Sequence, residues 1–334
     1  MSQYQPPLTL TPRMLSLVAE IGERVGLLAA RQEQATPQLR RGNRIRTIQA
    51  SLAIENNTLS VEQVTAVLDG KHVLGLPREI QEVRNAFSAY EAMQVWQPDR
   101  RDHLLAAHGL LMHGLIDDAG HYRRGGVGIY RGERLLHMAP PASRVPQLVD
   151  DLLAWLGRCE LHPLIASCVF HYEFEFIHPF ADGNGRMGRL WQTLILSQWR
   201  GILAYLPVES VIREQQDAYY EALALADKLA QATPFVEFML NALREALLES
   251  AASEQAVEQV TEQVTEQVAR LLKVLAPGEA LKASELMERL DLASRPAFTK
   301  NYLKPALAVG VIEMLDPASP RSPLQKYRRP VQGA

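Results

Sequence analysis

Apolar residues recur at helical spacing through most of the chain. Over the first hundred residues they return every three or four positions, which predicts amphipathic helices that each bury one face. The positions that carry this pattern are Leu15, Leu17, Val18, Ile21, Val25, Leu28, Ile45, Ile48 and Leu52. Asn56, Asn57 and Thr58 interrupt it, and Ser60 with Gln63 is typical of a capping box that opens the next helix. The pattern therefore predicts a mainly α fold.

A short stretch in the middle of the chain departs from helical periodicity. The apolar-periodic segment Arg101–Asp117 stops at Gly120, and residues 121–141 that follow are rich in glycine and proline. Within that stretch, Val127–Tyr130 and Leu135–Met138 are short β-prone runs. We therefore expect a small β-hairpin inside an otherwise helical domain.

Helices are predicted again at Val145–Arg158 and Leu164–Ile177, and farther on in a Glu/Gln-rich near-repeat at residues 254–268. The valines of the near-repeat share one helix face, at Val257, Val260, Val264 and Val268. We interpret this segment as a helical connector that rests its valine face on a neighbour. The alternative is a helix that pairs with a second chain.

The last part of the chain has a different order of elements. Residues 281–291 and 295–309 are predicted helices, and Val311–Leu315 and Gln325–Arg329 are predicted strands. This is the order of a winged helix-turn-helix. From Pro277 onward the formal charge is +3, against −6 for the remainder, and this asymmetry weakly favours nucleic acid as a partner.

Composition narrows the class of protein. The 334 residues are 47% hydrophobic and 22% charged, which predicts a globular chain of two or three domains. A net charge of −3 excludes binding to nucleic acid or membranes by bulk charge alone. Cys159 and Cys168 predict reduced thiols rather than a disulfide framework. With no signal peptide and no long apolar run, we expect a cytoplasmic protein that does not enter a membrane.

Residues 178–189, HPFADGNGRMGR, carry the chemistry of the chain. Pro179 and the glycines exclude a helix through the first half, and apolar periodicity returns with Leu190. A helix is therefore predicted to begin near Gly183–Gly185. Free backbone N–H groups at such a helix start form an anion site that is suited to phosphates.

The side chains around this helix start suit phosphate chemistry. Arg186 and Arg189, three residues apart, share a helix face and offer forked donors to one polyphosphate. Asp182 beside phosphates is suited to holding Mg²⁺, which needs few protein ligands. His178 is the nearby group that accepts a proton near neutral pH. Together these residues predict nucleotide-dependent transfer onto a hydroxyl.

The same residues match every defined position of the Fic motif, HPFx[D/E]GNGRxxR, and the chain therefore resembles the Fic family. The resemblance implies a mainly α, Fic-type helical domain with a β-hairpin flap, followed by a winged helix-turn-helix. The predicted domains are an N-terminal helical region with an inhibitory helix (1–100), a Fic catalytic core (101–245), a helical linker (246–276) and a winged-helix domain (277–334).

The resemblance also implies an activity, the transfer of AMP from Mg²⁺-ATP to a Tyr, Thr or Ser hydroxyl of a protein. His178 would deprotonate that hydroxyl, and Asp182 would hold Mg²⁺ on the α- and β-phosphates. Asn184 and the nest would stabilise the α-phosphate, while the two arginines would meet the outer phosphates. Tyr220 is the expected adenine wall. The full nucleotide-binding set is Gly183, Asn184, Gly185, Arg186, Met187, Gly188, Arg189 and Tyr220.

A second segment, Ser51 to Asn56, resembles the Fic inhibitory motif [S/T]xxxE[G/N]. Ser51 and Glu55 are four residues apart and lie on one helix face, and Asn56 is suited to end that helix in left-handed geometry. The resemblance implies that Glu55 pairs with Arg189 and so keeps this arginine from the γ-phosphate.

Other functions stay open at this point. An enzyme of the same family that removes AMP, with Glu55 positioning water, is one alternative, and a toxin component is another. The chain is also interpreted as a DNA-binding regulator, with contacts from Arg295, Lys300, Lys304, Arg321, Lys326, Arg328 and Arg329. A homodimer is an expectation drawn from the family.

Overall fold

A computed structural model describes residues 3–32, 37–131, 134–276, 279–308, 310–317, 322 and 325–329. The chain divides into two compact units, residues 1–250 and 251–334, each with its own apolar core. The finer domain bounds drawn from the sequence stay predictions. In the described parts of the chain, no helix combines the length and the apolarity needed to cross a membrane.

The first unit is built almost entirely of helices. They are α1 (Pro12–Gln32), α2 (Pro37–Ile54), α3 (Val61–Leu68), α4 (Pro77–Ala92), α5 (Arg101–Leu111), α6 (Val145–Arg158), α7 (Pro163–Ile177), α8 (Asn184–Trp199), α9 (Val208–Glu214), α10 (Gln216–Leu229) and the start of α11 (Thr233–Val274). Short 3₁₀ turns lie at Met93–Val95, Ala142–Arg144 and Gly201–Tyr205. Strands β1 (Gly128–Arg131) and β2 (Arg134–Met138) form an antiparallel hairpin.

Helices α7 and α8 form the centre of this unit. Of the α7 residues after its first proline, Phe176 is the exposed one, so neighbouring elements cover this helix on almost every side. Trp191 on α8 and Phe170 and Phe174 on α7 are fully buried between them and their neighbours. The loop between these two helices is therefore fixed at both ends.

Several sequence predictions are confirmed. Helix α6 has the predicted bounds, α7 begins one residue earlier than predicted, and the hairpin lies within 121–141. Ser60 and Gln63 form the expected capping box, and Asn56 is left-handed with φ of 68°. Both cysteines are free.

The predicted end of α5 is wrong. Its apolar pattern continues to Asp117, but the helix ends at Leu111. The buried side chain of Asn85, on α4, donates through Nδ2 to the Leu111 carbonyl (3.1 Å) and the His113 carbonyl (2.7 Å). Gly114 then turns the chain with φ of 69°. A side chain from a neighbouring helix thus caps α5 early.

The second unit contains the end of α11, three further helices and a small sheet. Its elements are β3 (Ala280–Lys282), α12 (Ala283–Arg289), α13 (Arg295–Phe298), a π turn (Thr299–Leu303), α14 (Lys304–Ala308), β4 (Glu313–Met314) and β5 (Lys326–Arg328). The strands pair antiparallel in the order β3-β5-β4. This order of elements is the one predicted for a winged helix-turn-helix, with one added strand.

Two predictions in this unit need correction. The predicted helix 281–291 begins with a strand, because Leu281 pairs with Tyr327 and both side chains enter the core. The predicted helix 295–309 contains a π turn, in which the Lys304 N–H donates to the Thr299 carbonyl. Pro305 has no N–H and crowds the preceding turn, so the helix widens there instead of continuing unchanged.

The near-repeat at 254–268 is part of α11, as the predicted helix requires. Val268 lies in the core of the second unit. The side chains of Val257, Val260 and Val264 lie outside the described residues, so the partner of the valine face stays a prediction.

Replacing Asn85 with Ala should lower the free energy of unfolding of the first unit by about 1–3 kcal/mol, because two buried carbonyls lose their donor. Urea denaturation followed by tryptophan fluorescence measures this, since all four tryptophans lie in the first unit. Ser88→Ala, on an exposed position of the same helix, is the control and should change little. Equal stability of Asn85→Ala and the parent would contradict this account of the helix end.

Candidate active site

The loop between α7 and α8 is closed by a single amide. Asn184 Oδ1 accepts from the Phe180 N–H, and Asn184 Nδ2 donates to the Phe180 carbonyl, both at 2.9 Å. The side chain is buried. Asn184 is predicted to stabilise the α-phosphate, and this role stays a prediction: the loop contact uses Oδ1 and one of the two Nδ2 hydrogens.

The backbone at the start of α8 forms the predicted nest. The N–H groups of Asn184, Gly185 and Arg186 precede the first intrahelical bond, which runs from the Met187 N–H to the Gly183 carbonyl at 3.0 Å. The Met187 N–H makes that bond and the Met187 side chain is buried, and its predicted part in nucleotide binding stays a prediction.

Three glycines of the motif are required for three different reasons. Gly183 has φ of 83°, and a Cβ there would lie 2.6 Å from the Met112 sulfur. A Cβ at Gly185 would lie 2.3 Å from Glu55 Oε1, and one at Gly188 would lie 2.8 Å from Glu175 Oε1. Gly188 thus allows α7 and α8 to approach, whereas Gly185 leaves room above the nest.

Arg189 is the most enclosed charge of the site, with a side chain that is 1% exposed. Its Nε donates to Ser51 Oγ (3.0 Å), and its NH2 group donates to the Ser51 carbonyl (3.0 Å) and to Glu55 Oε1 (2.8 Å). Burial by itself lowers the pKa of Arg189, but the charge and hydrogen bond of Glu55, together with Tyr219 and Glu175, outweigh burial, so that the pKa is raised. The structure thus brings together the predicted Ser51, Glu55 and Arg189.

A buried carboxyl group lies near Arg189. Glu209, on α9, accepts a hydrogen bond from the Tyr90 hydroxyl at 3.1 Å. Burial raises the pKa of Glu209 to about 7, although the Arg189 charge lowers it in part. The sequence analysis missed this residue, because Glu209 lies outside both motifs.

The two motif arginines do not point to one place. Arg186 donates to Asp182 Oδ1 at 3.0 Å and lies 3.3 Å from Glu82 Oε1. Arg78, on α4, donates to Asp182 Oδ2 at 3.1 Å. Arg186 and Arg189 therefore have different partners here, although they were expected to meet the same polyphosphate.

Asp182 is the residue expected to hold Mg²⁺, and the exposure of its carboxylate is compatible with that role. Its carboxylate is 41% exposed at the start of the nest, where phosphate and water can complete an octahedral shell. No cluster of three or more His, Cys, Asp or Glu side chains suited to a metal occurs in the described ranges. The residues therefore fit a metal that arrives with phosphates, not one held by protein alone.

His178 lies at the end of α7 in left-handed geometry, with φ of 48°. The buried Arg123, missed in the sequence analysis, donates to the carbonyls of His178 (2.7 Å), Gly125 and Pro140. Arg123 thereby joins the base of the hairpin to the motif loop. The His178 side chain stays partly exposed, as a base that meets a substrate must be.

His108, on α5, is a third residue that the sequence analysis missed. Its Nδ1 accepts from the Gly120 N–H at 2.9 Å, which leaves Nε2 to donate to the Asp182 carbonyl at 3.0 Å. The ring stacks on Phe180 with 3.6 Å between centroids. Burial lowers the pKa of His108 to about 4, so the ring is neutral at pH 7 and holds the Asp182 backbone in place.

Tyr220 lies beside the inhibitory segment. It is half-buried on α10, and burial and the Glu55 carboxylate raise its pKa. On the same helix, Gln216 Nε2 donates to the Ile54 carbonyl at 3.1 Å. The preceding Tyr219 is buried, and its hydroxyl lies 3.2 Å from His171 Nε2, so Tyr219 is a core residue. The role of Tyr220 as an adenine wall stays a prediction.

Comparison with known proteins agrees with the fold and motif. Residues 98–196 match the Fic/DOC family, and residues 266–329 match the C-terminal domain of Fic-like proteins, named for filamentation induced by cAMP. A crystal structure of a Fic family protein from Desulfovibrio desulfuricans G20 is 61% identical, covering 99% of this chain and 100% of that one, with a TM-score of 0.76.

More distant relatives carry the name protein adenylyltransferase Fic. The protein of Aedes aegypti is 28% identical over 210 residues, which are 58% of this chain and 39% of that protein. The protein of Drosophila virilis is 30% identical over 226 residues, 62% of this chain and 43% of that protein. The chain therefore spans about two fifths of the length of these relatives. Taken with the full-length match above, these likenesses show that the chain belongs to the Fic family.

Replacing His108 with Gln should change how stability depends on pH. The unfolded chain takes up a proton on His108 near pH 6.5, whereas the folded chain resists it until about pH 4. The parent should therefore lose about 3 kcal/mol of unfolding free energy relative to His108→Gln as pH falls from 7 to 4. Urea denaturation at several pH values measures this difference. A difference that does not vary with pH would contradict the assigned neutral state.

Proposed function

We propose that this protein transfers AMP from Mg²⁺-ATP to a Tyr, Thr or Ser hydroxyl of a protein, and that its own Glu55 restrains the reaction. The observation that carries the proposal is the contact of Arg189 with Ser51 and Glu55 beside the nest. A buried arginine next to a phosphate-binding helix start is suited to an outer phosphate, and here a carboxylate of the same chain is bound to it.

The proposed reaction uses the motif residues in order. His178 takes the proton of the target hydroxyl, whose oxygen attacks the α-phosphorus of ATP. The bond from that phosphorus to the bridging oxygen of the β-phosphate breaks, and pyrophosphate leaves. The free N–H groups of Asn184, Gly185 and Arg186 stabilise charge on the phosphates. Mg²⁺, held through Asp182, would neutralise the α- and β-phosphate oxygens when bound.

The proposed restraint is electrostatic and steric. Glu55 Oε1 lies close above Gly185, so its negative charge occupies space over the nest. A γ-phosphate must displace this carboxylate to reach Arg189, and until then the two negative groups repel each other. While Glu55 stays bound to Arg189, ATP would bind in a pose unsuited to in-line attack.

The named relatives support the enzyme class, since they are called protein adenylyltransferases. The protein target, a homodimer and a cytoplasmic location stay predictions for this chain. Removal of AMP, with Glu55 positioning water, is the competing activity of the same site.

Replacing Glu55 with Gly should raise AMP transfer at least about tenfold, because Arg189 loses a charged hydrogen bond that competes with phosphate. Ser51→Ala should give a smaller rise, since it removes one of the three bonds to Arg189. The measurement is labelling of protein by ATP with ³²P at the α-phosphate in the presence of Mg²⁺.

His178→Ala is the control for chemistry and should abolish labelling in both the parent and the Glu55→Gly background. ATP labelled at the γ-phosphate should give no signal, and label from that position would indicate phosphate transfer. A Glu55→Gly protein no more active than the parent would contradict the restraint. If the protein instead removes labelled AMP from a protein that already carries it, and no AMP transfer from ATP is detected, AMP removal is favoured.

DNA binding through the second unit is a second candidate function, favoured by one observation. Arg295, Lys300 and Lys304 are exposed on one helical segment, and none of them forms an ion pair within the described residues. Of the other predicted contacts, Arg328 pairs with Glu313 and Arg329 donates to the Leu272 carbonyl. Arg321 lies outside the described residues.

If these three side chains contact DNA, affinity for duplex DNA should fall steeply with salt, with a log–log slope near −3. Replacing Lys300 and Lys304 with Gln should bring the slope to about −1. Fluorescence anisotropy of a labelled duplex at several salt concentrations measures it. Weak binding, with the same salt slope in the parent and in the variant, would reject DNA as a partner of these three side chains.

A further inference from the structure

Helix α4 places two opposite charges against the motif loop. Arg78 and Glu82 are four residues apart and share one helix face, with Arg78 Nε 3.5 Å from Glu82 Oε1. Neither residue belongs to the Fic or inhibitory motif. Both contact residues of the loop that binds phosphate and metal in the proposed function.

Arg78 contacts the carboxylate that would hold Mg²⁺. Its NH2 group donates to Asp182 Oδ2 at 3.1 Å, while Arg186 and the Gly183 N–H donate to Oδ1. Every oxygen of the Asp182 carboxylate therefore has a donor. Arg78 is 58% exposed on a long side chain, so it can leave without unfolding its helix.

Glu82 contacts the arginine that would meet a phosphate. Its Oε1 lies 3.3 Å from Arg186 NH1, and its side chain is 12% exposed. Arg186 is buried, and its Nε has no hydrogen-bond partner among the described residues. Glu82 Oε2 accepts from Asn57 Nδ2 at 2.9 Å, which ties α4 to the turn after the inhibitory helix.

The two contacts have complementary chemistry. A guanidinium on Asp182 places positive charge where a divalent cation would neutralise the same carboxylate. A carboxylate on Arg186 places negative charge where a phosphate oxygen would accept from the same guanidinium. We infer that Arg78 and Glu82 are positioning residues that stand in for Mg²⁺ and phosphate, and that Mg²⁺-nucleotide must displace them to bind.

This inference rests on the proposed function, but it is separate from Glu55. Glu55 contacts Arg189 from the turn after α2, whereas Arg78 and Glu82 contact Asp182 and Arg186 from α4. We expect Arg78 and Glu82 to have different effects on binding. Loss of Arg78 should ease metal binding, and loss of the Glu82 charge should ease phosphate binding.

The test measures binding rather than transfer. Isothermal titration calorimetry of the full chain with α,β-methylene-ATP, which cannot donate AMP, is run over a series of Mg²⁺ concentrations and in EDTA. The variants are Arg78→Met, Glu82→Gln and the control Arg84→Met, which removes an exposed arginine of the same helix with no ion pair among the described residues. Gln at position 82 can still accept from Asn57, and thermal unfolding checks that each variant folds.

Arg78→Met should lower the half-saturating Mg²⁺ concentration about two- to fivefold, the range expected for an exposed ion pair. In EDTA it should bind the nucleotide no more tightly than the parent, because the bare Asp182 repels phosphate. Glu82→Gln should tighten nucleotide binding both in Mg²⁺ and in EDTA. Arg84→Met should match the parent.

An unchanged or raised Mg²⁺ requirement for Arg78→Met would overturn the inference, and a weaker nucleotide affinity would mean that Arg78 itself binds phosphate. Such a result leaves the proposed function standing if the parent binds the nucleotide in a Mg²⁺-dependent way. If neither the parent nor Glu55→Gly binds the nucleotide at any Mg²⁺ concentration, the proposed function fails together with the inference.

Discussion

The burial of one guanidinium organises the site. Arg189 lies on the central helix α8 with a side chain that is almost fully enclosed, and a buried charge is tolerated only when other groups compensate it. Ser51 on α2 and Glu55 immediately after this helix supply the compensation. Helix α2 is therefore placed against α8 by the need of Arg189 for partners. Any ligand that takes the place of Glu55 on Arg189 must displace the Glu55 carboxylate.

Charge compensation by the chain itself is also found in the rest of the phosphate loop. Its charged side chains are paired with residues of the chain itself, Asp182 with Arg78 and Arg186 with Glu82. The backbone is held as firmly, because the Asn184 amide closes the loop and His108 fixes the Asp182 carbonyl. The site thus has a preorganised backbone and replaceable side-chain partners. In the proposed function, the nucleotide and its metal exchange those partners without rebuilding the loop.

Much of this arrangement could be predicted from the sequence, since a contiguous motif fixes the loop and helix start, and the spacing of Ser51 and Glu55 fixes their shared face. What the sequence could not predict depends on packing between distant segments. Arg123 and His108 reach the motif from other parts of the chain, and neither spacing nor composition marks them. The predicted end of α5 was wrong for the same reason, because the side chain of Asn85 on α4 caps this helix early. The motif likewise does not reveal that the Asn184 amide closes the loop.

The central claim is that the γ-phosphate and Glu55 compete for Arg189. Calorimetric affinities of ADP and ATP, measured with Mg²⁺ for the parent and for Glu55→Gly, test it most directly, because the two nucleotides differ only in the γ-phosphate. We predict that the parent binds both with similar affinity, and that Glu55→Gly binds ATP at least about tenfold more tightly than ADP. The same ratio of ATP to ADP affinity in both proteins would contradict the claim.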